Sequence, residues 1–405
     1  MRSAMRWSRM VAAGALVVGC VPFVSAAPAY AVVPCSGQQA PPLGTAMPDV
    51  PYPLLRYAPD RLAPLSTGRG VTVAVIDSGV DDRHPQLRGR VLPGRDLLAS
   101  NPDAKQDCAG HGTGVASIIA AQPADGTGFR GLAPSATVLP VRVTERKEIE
   151  EDNPGRYVGS DGFAEAIRWA VRNGARGGVI NLSVSLNRDV PAVRSAVDFA
   201  LANDVVVVAA AGNASATDAA KEPYPARYDG VLAVGAVDAN GLWADFSLTG
   251  DYVDVAAPGS QVTMAAVGGG HVQDSGTSFA APYVAATAAL IRARYPDLPA
   301  KDVVKLILAT ADPAPGGNRS DKYGIGIVNP YRALTERLAD QPPRAPQPVA
   351  AEHTDPATQA LTDRRDAARD RALLVGVIGL GAAILAVGLG LILPRGLRRR
   401  WRPAA

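Results

Sequence analysis

Five short runs of apolar, largely β-branched residues recur along the chain, at 71–76 (VTVAVI), 137–143 (TVLPVRV), 178–183 (GVINLS), 205–210 (VVVVAA) and 231–236 (VLAVGA). Little in them alternates between polar and apolar, so each reads as a strand covered on both faces. Amphipathic stretches at 160–173 (SDGFAEAIRWAVRN) and 191–203 (PAVRSAVDFALAN) fall between them. Doubly covered strands alternating with helices predict an α/β domain, a mostly parallel sheet flanked by helices. Sites in such sheets form at the carboxyl ends of the strands. Asp77 and Asn213, which close the first run and VVVVAAAGN, therefore stand out.

Two further segments carry chemistry: GHGTGVAS around His111 and DSGTSFAAP around Ser278. A serine hydroxyl is a poor nucleophile at neutral pH and needs a base that takes its proton and returns it to the leaving group. Histidine, with an ordinary pKa of about 6.5, suits that task. A buried aspartate on the other ring nitrogen fixes the tautomer and stabilises the imidazolium. The roles expected are Ser278 as nucleophile, His111 as general base and then acid, and Asp77 as orienting carboxylate. The Asn213 amide is placed to donate to the oxyanion of a tetrahedral intermediate. Ser278 also opens a helical pattern, SFAAPYVAATAALIRARY, with Pro282 expected in its first turn. Alone, each residue has a plainer reading as a turn or capping residue. Together, in one order and among glycines, they do not.

In this order, VIDSG, HGTGVAS, AAGN and GTSFAAP resemble the subtilisin superfamily. GLAP at 131–134, VINLS at 179–183, YPA at 224–226, VGAVD at 234–238 and APG at 257–259 are similar to subtilase segments too. The resemblance spans roughly residues 65–335 and implies a subtilisin-like fold and serine endopeptidase activity. After VINLS the chain continues Val184-Ser185-Leu186 where secreted subtilisins have LGG. Larger side chains there are expected to narrow access to the substrate strand.

Both ends are directed to a membrane. Arg2, Arg6 and Arg9 precede an apolar run, and Ala29-Tyr30-Ala31 offers a cleavage site, so residues 1–31 read as a secretory signal peptide. Val17-Val18-Gly19-Cys20 supports a competing reading, a lipoprotein signal acylated at Cys20. Residues 32–64 are Pro-rich and expected to lie extended on the surface. The catalytic domain is expected over 65–339, followed by a Pro-rich and charged linker at 340–372. Residues 373–393 carry no charge and, as a helix, span about 31 Å, enough for one transmembrane helix. The arginine-rich tail at 394–405 places that side in the cytoplasm and the catalytic domain outside. This architecture resembles the mycosins, membrane-anchored subtilases of actinobacterial type VII secretion systems. The resemblance implies a single-pass cell-membrane protease with specific peptide or protein substrates, associated with the secretion complex.

Cys35 and Cys108 remain after signal removal, an even pair suited to a disulfide outside the cell. No HExxH or CxxC is present, so neither metal nor cofactor is expected. A net charge of +3, with acids and bases mixed, gives no case for nucleic-acid binding. The run 144–160 (TERKEIEEDNPGRYVGS) reads as a solvated loop with a secondary chance of touching a partner or the cleft. Asp81 and Asp82 are taken as solvated turn residues rather than calcium ligands. His84 is expected in a surface turn, and His271 and His353 in polar loop and linker.

Overall fold

The computed structural model describes residues 35–36, 42–99, 103–146, 155–214 and 222–337. The signal peptide, Cys20, the linker with His353, the apolar segment 373–393 and the basic tail lie outside the described residues. Among the described residues, no helix is long and apolar enough to cross a membrane.

The strands are β1 (Thr72–Asp77), β2 (Arg95–Asp96), β3 (Thr137–Arg142), β4 (Val179–Leu182), β5 (Val206–Ala210), β6 (Leu232–Val237), β7 (Val255–Pro258), β8 (Val262–Ala265), β9 (His271–Asp274), β10 (Asp312–Pro313) and β11 (Gly326–Ile327). The helices are α1 (Tyr52–Tyr57), α2 (Pro59–Leu62), α3 (His111–Ala120), α4 (Gly159–Ala170), α5 (Pro191–Ala202), α6 (Thr277–Arg294), α7 (Ala300–Ala309) and α8 (Pro330–Thr335). One sheet runs β10-β11-β7-β6-β5-β4-β1-β3-β2. Its pairings are parallel except β10 with β11, while β8 and β9 form a separate antiparallel ribbon. The five apolar runs are thus β1, β3, β4, β5 and β6, and the two amphipathic stretches are α4 and α5.

The period of two in each strand explains the two cores. Val73 and Val75 of β1 face α3, α6 and α7, whereas Ala74 and Ile76 face α4 and α5. Helix α6 is buried from Thr277 to Arg292, which its all-round apolar sequence requires. Pro282 lies a turn deeper than expected, at the sixth position of α6.

The described residues of the 32–64 segment depart in part from the extended surface reading. Residues 52–57 and 59–62 are helical, with Leu54, Tyr57 and Leu62 buried, and Tyr57 packs on Tyr283 of α6 at 5.6 Å. Prolines near the start of each helix lose no intrahelical bond, so Pro content did not forbid them. Further upstream, Thr45 makes a single antiparallel bridge to His271 at the edge of the β8–β9 ribbon. Cys35 and Cys108 form a disulfide, Cα atoms 5.7 Å apart.

The solvated reading of 144–160 also fails at its described stem. Thr144 bridges to Tyr157, and Glu145 is fully buried beside Arg142, itself 0 % exposed. Arg142 pairs with Asp96 at 2.7 Å and Glu145 at 2.8 Å, and Arg156 reaches Glu145 at 2.7 Å. Burial works to raise the Glu145 carboxyl, but hydrogen bonds from Arg156 and Ser36 outweigh it and bring the pKa down to about 2.

Candidate active site

Asp77 ends β1, and parallel pairing with β3 and β4 holds it at the carboxyl edge of the sheet. His111 is the first residue of α3, and Ser278 the second of α6. Three distant segments therefore meet at one end of the sheet. His111 Nδ1 lies 2.8 Å from Asp77 Oδ1, and His111 Nε2 lies 2.9 Å from Ser278 Oγ. With Nδ1 protonated toward the carboxylate, Nε2 would present its lone pair to the Ser278 hydroxyl. Asp77 is 0 % and Ser278 8 % exposed, so the carboxylate is shut off from solvent while Ser278 keeps a slight exposure. Phe279 packs on the imidazole, ring centroids 5.0 Å apart.

The imidazole is held by groups that sequence reasoning missed. Asp107 Oδ1 accepts from the N–H groups of Ala109 and Gly110, and Oδ2 accepts from the Thr113 N–H and hydroxyl. These bonds fix the turn before α3, and the Thr113 bond satisfies one N–H of its first turn. Burial pushes the Asp107 carboxyl up despite them. Ser78 Oγ donates to Asp107 Oδ1 at 2.8 Å and accepts from the Gly112 N–H, tying the strand carrying Asp77 to the helix carrying His111. Gly112 is needed for that approach, because a Cβ there would come within 2.2 Å of the Gly79 carbonyl oxygen. Asp107 stands ahead of the capping position, which Gly110 occupies, so no helix-start signal marks it in the sequence.

Asn213 is held similarly. Its Oδ1 accepts from the Thr277 N–H at 3.0 Å and hydroxyl at 2.9 Å, so Nδ2 is turned away, free to donate. A side chain at Gly276 would come within 3.0 Å of Ser278 Oγ and 3.4 Å of Asn213 Nδ2. Those two atoms thus border one small space. Gly276 has φ 164°, ordinary extended backbone, so the glycine is required for room rather than conformation. At the start of α6 the Thr277 N–H is taken by Asn213 Oδ1 and the Phe279 N–H by the Gly276 carbonyl.

Other residues are placed differently from expectation. Asp81 is buried, bonded to Arg83 and the Gly268 N–H, which makes it a turn brace and not a solvated residue. His84 and His271 are buried at 2 % and 5 % exposure. His84 Nε2 meets the Gly270 carbonyl, and His271 Nε2 meets Gln86 Oε1. The larger side chains at 184 and 186 turn inward and are not left on the surface. Val184 and Leu186 are buried in the core shared with α4 and α5, and Leu186 pairs with Tyr224. The sole cluster of metal-type ligands among the described residues is Cys35, Cys108 and Glu145, whose two thiols are already a disulfide.

The match to known proteins follows this geometry. The Subtilase family model matches residues 68–326. Mycosin-1 of Mycobacterium tuberculosis is 34% identical over 380 residues, covering 83% of this chain and 82% of the relative. The structure of MycP1, a serine protease described as an essential component of the type VII (ESX-1) secretion system, superposes with TM-score 0.65 at 34% identity, covering 75% of this chain and 92% of that one. A chain of the periplasmic assembly from the ESX-5 inner membrane complex gives TM-score 0.65 at 30% identity, covering 80% and 92%. The strand order, the meeting of the three motifs and the length of the match agree: this chain belongs to the subtilase family and is a serine endopeptidase of the mycosin type.

Proposed function

We propose that this protein is an exported, membrane-anchored endopeptidase that cleaves specific protein substrates through Asp77, His111 and Ser278 in association with a type VII secretion complex. The observation that carries the reading is the unbroken line of hydrogen bonds from Asp77 through His111 to Ser278. As Ser278 Oγ attacks a scissile carbonyl, His111 Nε2 takes its proton, and Asp77 stabilises the imidazolium from the other side. The carbonyl oxygen becomes an anion, and Asn213 Nδ2 donates to it. His111 then delivers the proton to the leaving amine, and a water molecule repeats the sequence to release the acyl group.

The signal peptide at 1–31 and the apolar segment 373–393 with its arginine-rich tail support export and a single membrane-spanning helix whose tail lies in the cytoplasm. Similarity to MycP1 and to the ESX-5 assembly chain supports association with a secretion complex. A fluorophosphonate applied to membranes should label Ser278 and nothing in a Ser278→Ala variant. Absence of that adduct in native membranes would defeat the proposal. The similarity to a chain of a large assembly also favours a second reading, a structural subunit whose cleavage is secondary. Secretion that survives Ser278→Ala but fails when the whole protein is deleted would support that second role.

A further inference from the structure

A proline inside a helix lacks the N–H that would bond the carbonyl four residues earlier, and its ring crowds that oxygen. For Pro282 of α6, that carbonyl belongs to Ser278. The backbone of the nucleophile is thereby deprived of its helical partner one residue from the start of the helix. The vacancy is filled from another element. Ser183, just beyond β4, donates its hydroxyl to the Ser278 carbonyl oxygen at 2.7 Å. Asn181 Nδ2 in turn donates to Ser183 Oγ at 2.8 Å, so the single hydroxyl proton of Ser183 is committed to Ser278. Asn181 is 0 % and Ser183 5 % exposed, which shields both bonds from competing water.

We infer that Ser183 is a positioning residue for Ser278, standing in for the helical N–H that Pro282 removes, with Asn181 orienting Ser183. The inference rests on Ser278 being the nucleophile. Its physical content is that the 2.9 Å approach of Ser278 Oγ to His111 Nε2 depends on the orientation of the adjoining peptide. A carbonyl left without a partner in a buried site turns to find one, and small displacements of a reacting group lower the rate steeply. The Ser183 hydroxyl bonds to Asn181 and to the Ser278 carbonyl, not to Ser278 Oγ or His111, so its loss is expected in turnover rather than in binding.

A double-mutant cycle between Ser183 and Pro282 tests this. Ser183→Ala is expected to lower kcat and the fluorophosphonate inactivation rate about tenfold, with KM nearly unchanged. Ser183→Thr, which keeps the hydroxyl, is expected to restore most of that loss. Pro282→Ala returns an N–H to the helix. In that background, whatever its own activity, Ser183→Ala is expected to cost less than about twofold. Equal losses in the two backgrounds, or a loss carried by KM, would overturn the inference. Where Ser183→Ala does not fold, Ser183→Cys, a weaker donor of the same shape, carries the same cycle with smaller losses. Failure of the parent protein to react with fluorophosphonate would instead remove Ser278 as nucleophile, an outcome separate from additivity in a reactive enzyme.

Discussion

Replacing Cys35 by serine severs the bridge to Cys108 at its exposed end and leaves the buried Cys108 side chain in place. The bond joins residues 73 apart, and the chain-entropy model for a closed loop of that length gives about 4 kcal/mol of stabilisation. A second loss accompanies it. Ser36 hydrogen-bonds to Glu145 as an immediate neighbour of the tether, and freeing residue 35 releases that bond. Arg142, whose Nη2 lies 3.0 Å from Cys108 Sγ, remains held by Asp96 at Nη1 and Glu145 at Nη2, so the buried ion cluster survives.

Stability and chemistry should separate in this variant. The turn before α3 is fixed by Asp107 through bonds to Ala109, Gly110 and Thr113, none of which uses the disulfide. Equilibrium unfolding in urea, performed in a Ser278→Ala background to prevent self-cleavage, should show Cys35→Ser less stable by about 3–4 kcal/mol. Reductant should bring the bridged protein down to the same value and leave Cys35→Ser unchanged. In the active background, kcat should stay within about twofold where the variant is folded. A stability loss below about 1 kcal/mol, or a fall in kcat of the folded variant, would refute the claim that the tether braces the domain without shaping the site.

Asn213→Ala should lower kcat by about a hundred- to a thousandfold with little change in KM, because its amide meets charge that exists only in the transition state; steady-state kinetics on any cleaved peptide checks this. Burial holds His84 and His271 below the ordinary histidine pKa of about 6.5, with Asp81 partly opposing the shift at His84 and the two rings reinforcing it at His271. The unfolded chain then binds more protons than the native one, so their stabilisation is complete above pH about 6.5 and declines as the pH falls from there toward the depressed native values. Urea midpoints measured across that interval should fall with pH, and the fall should flatten in a His84→Gln/His271→Gln variant; an unchanged slope would show that other groups set it.

The strands and helices of the sheet were legible because burial on both faces leaves a compositional mark. Runs such as VVVVAA have no solvated side to encode, and β5 lies within a residue of where that run predicts it. The N-terminal extension was misjudged for the complementary reason. Its prolines are compatible with both an extended chain and a first helical turn, and only the packing of Tyr57 on Tyr283 selects the helix. Glu145 illustrates a third limit. In TERKEIEE it looks like one more solvated charge, and its burial depends on Arg142, whose own place inside β3 follows from pairing with Asp96.

The site divides along the same line. Asp77, His111, Asn213 and Ser278 are chemically distinctive and sit in glycine-rich surroundings, so their order along the chain predicts their meeting. The groups that hold them are two ordinary serines, one threonine and one aspartate: Ser78 and Asp107 behind the imidazole, Thr277 behind the amide, Ser183 behind the nucleophile. Nothing in their type distinguishes them from surface residues, yet all are buried and hydrogen-bonded. In water-excluded surroundings an unpaired hydroxyl or carboxylate is costly, so such residues persist there only with well-aimed partners. That same cost makes them effective supports, because each orientation that would misplace a catalytic atom also leaves a polar group unsatisfied. Precision at the reacting atoms is therefore stored in residues that carry no chemical signature of their own, and it becomes visible only when strand ends and helix starts are brought together.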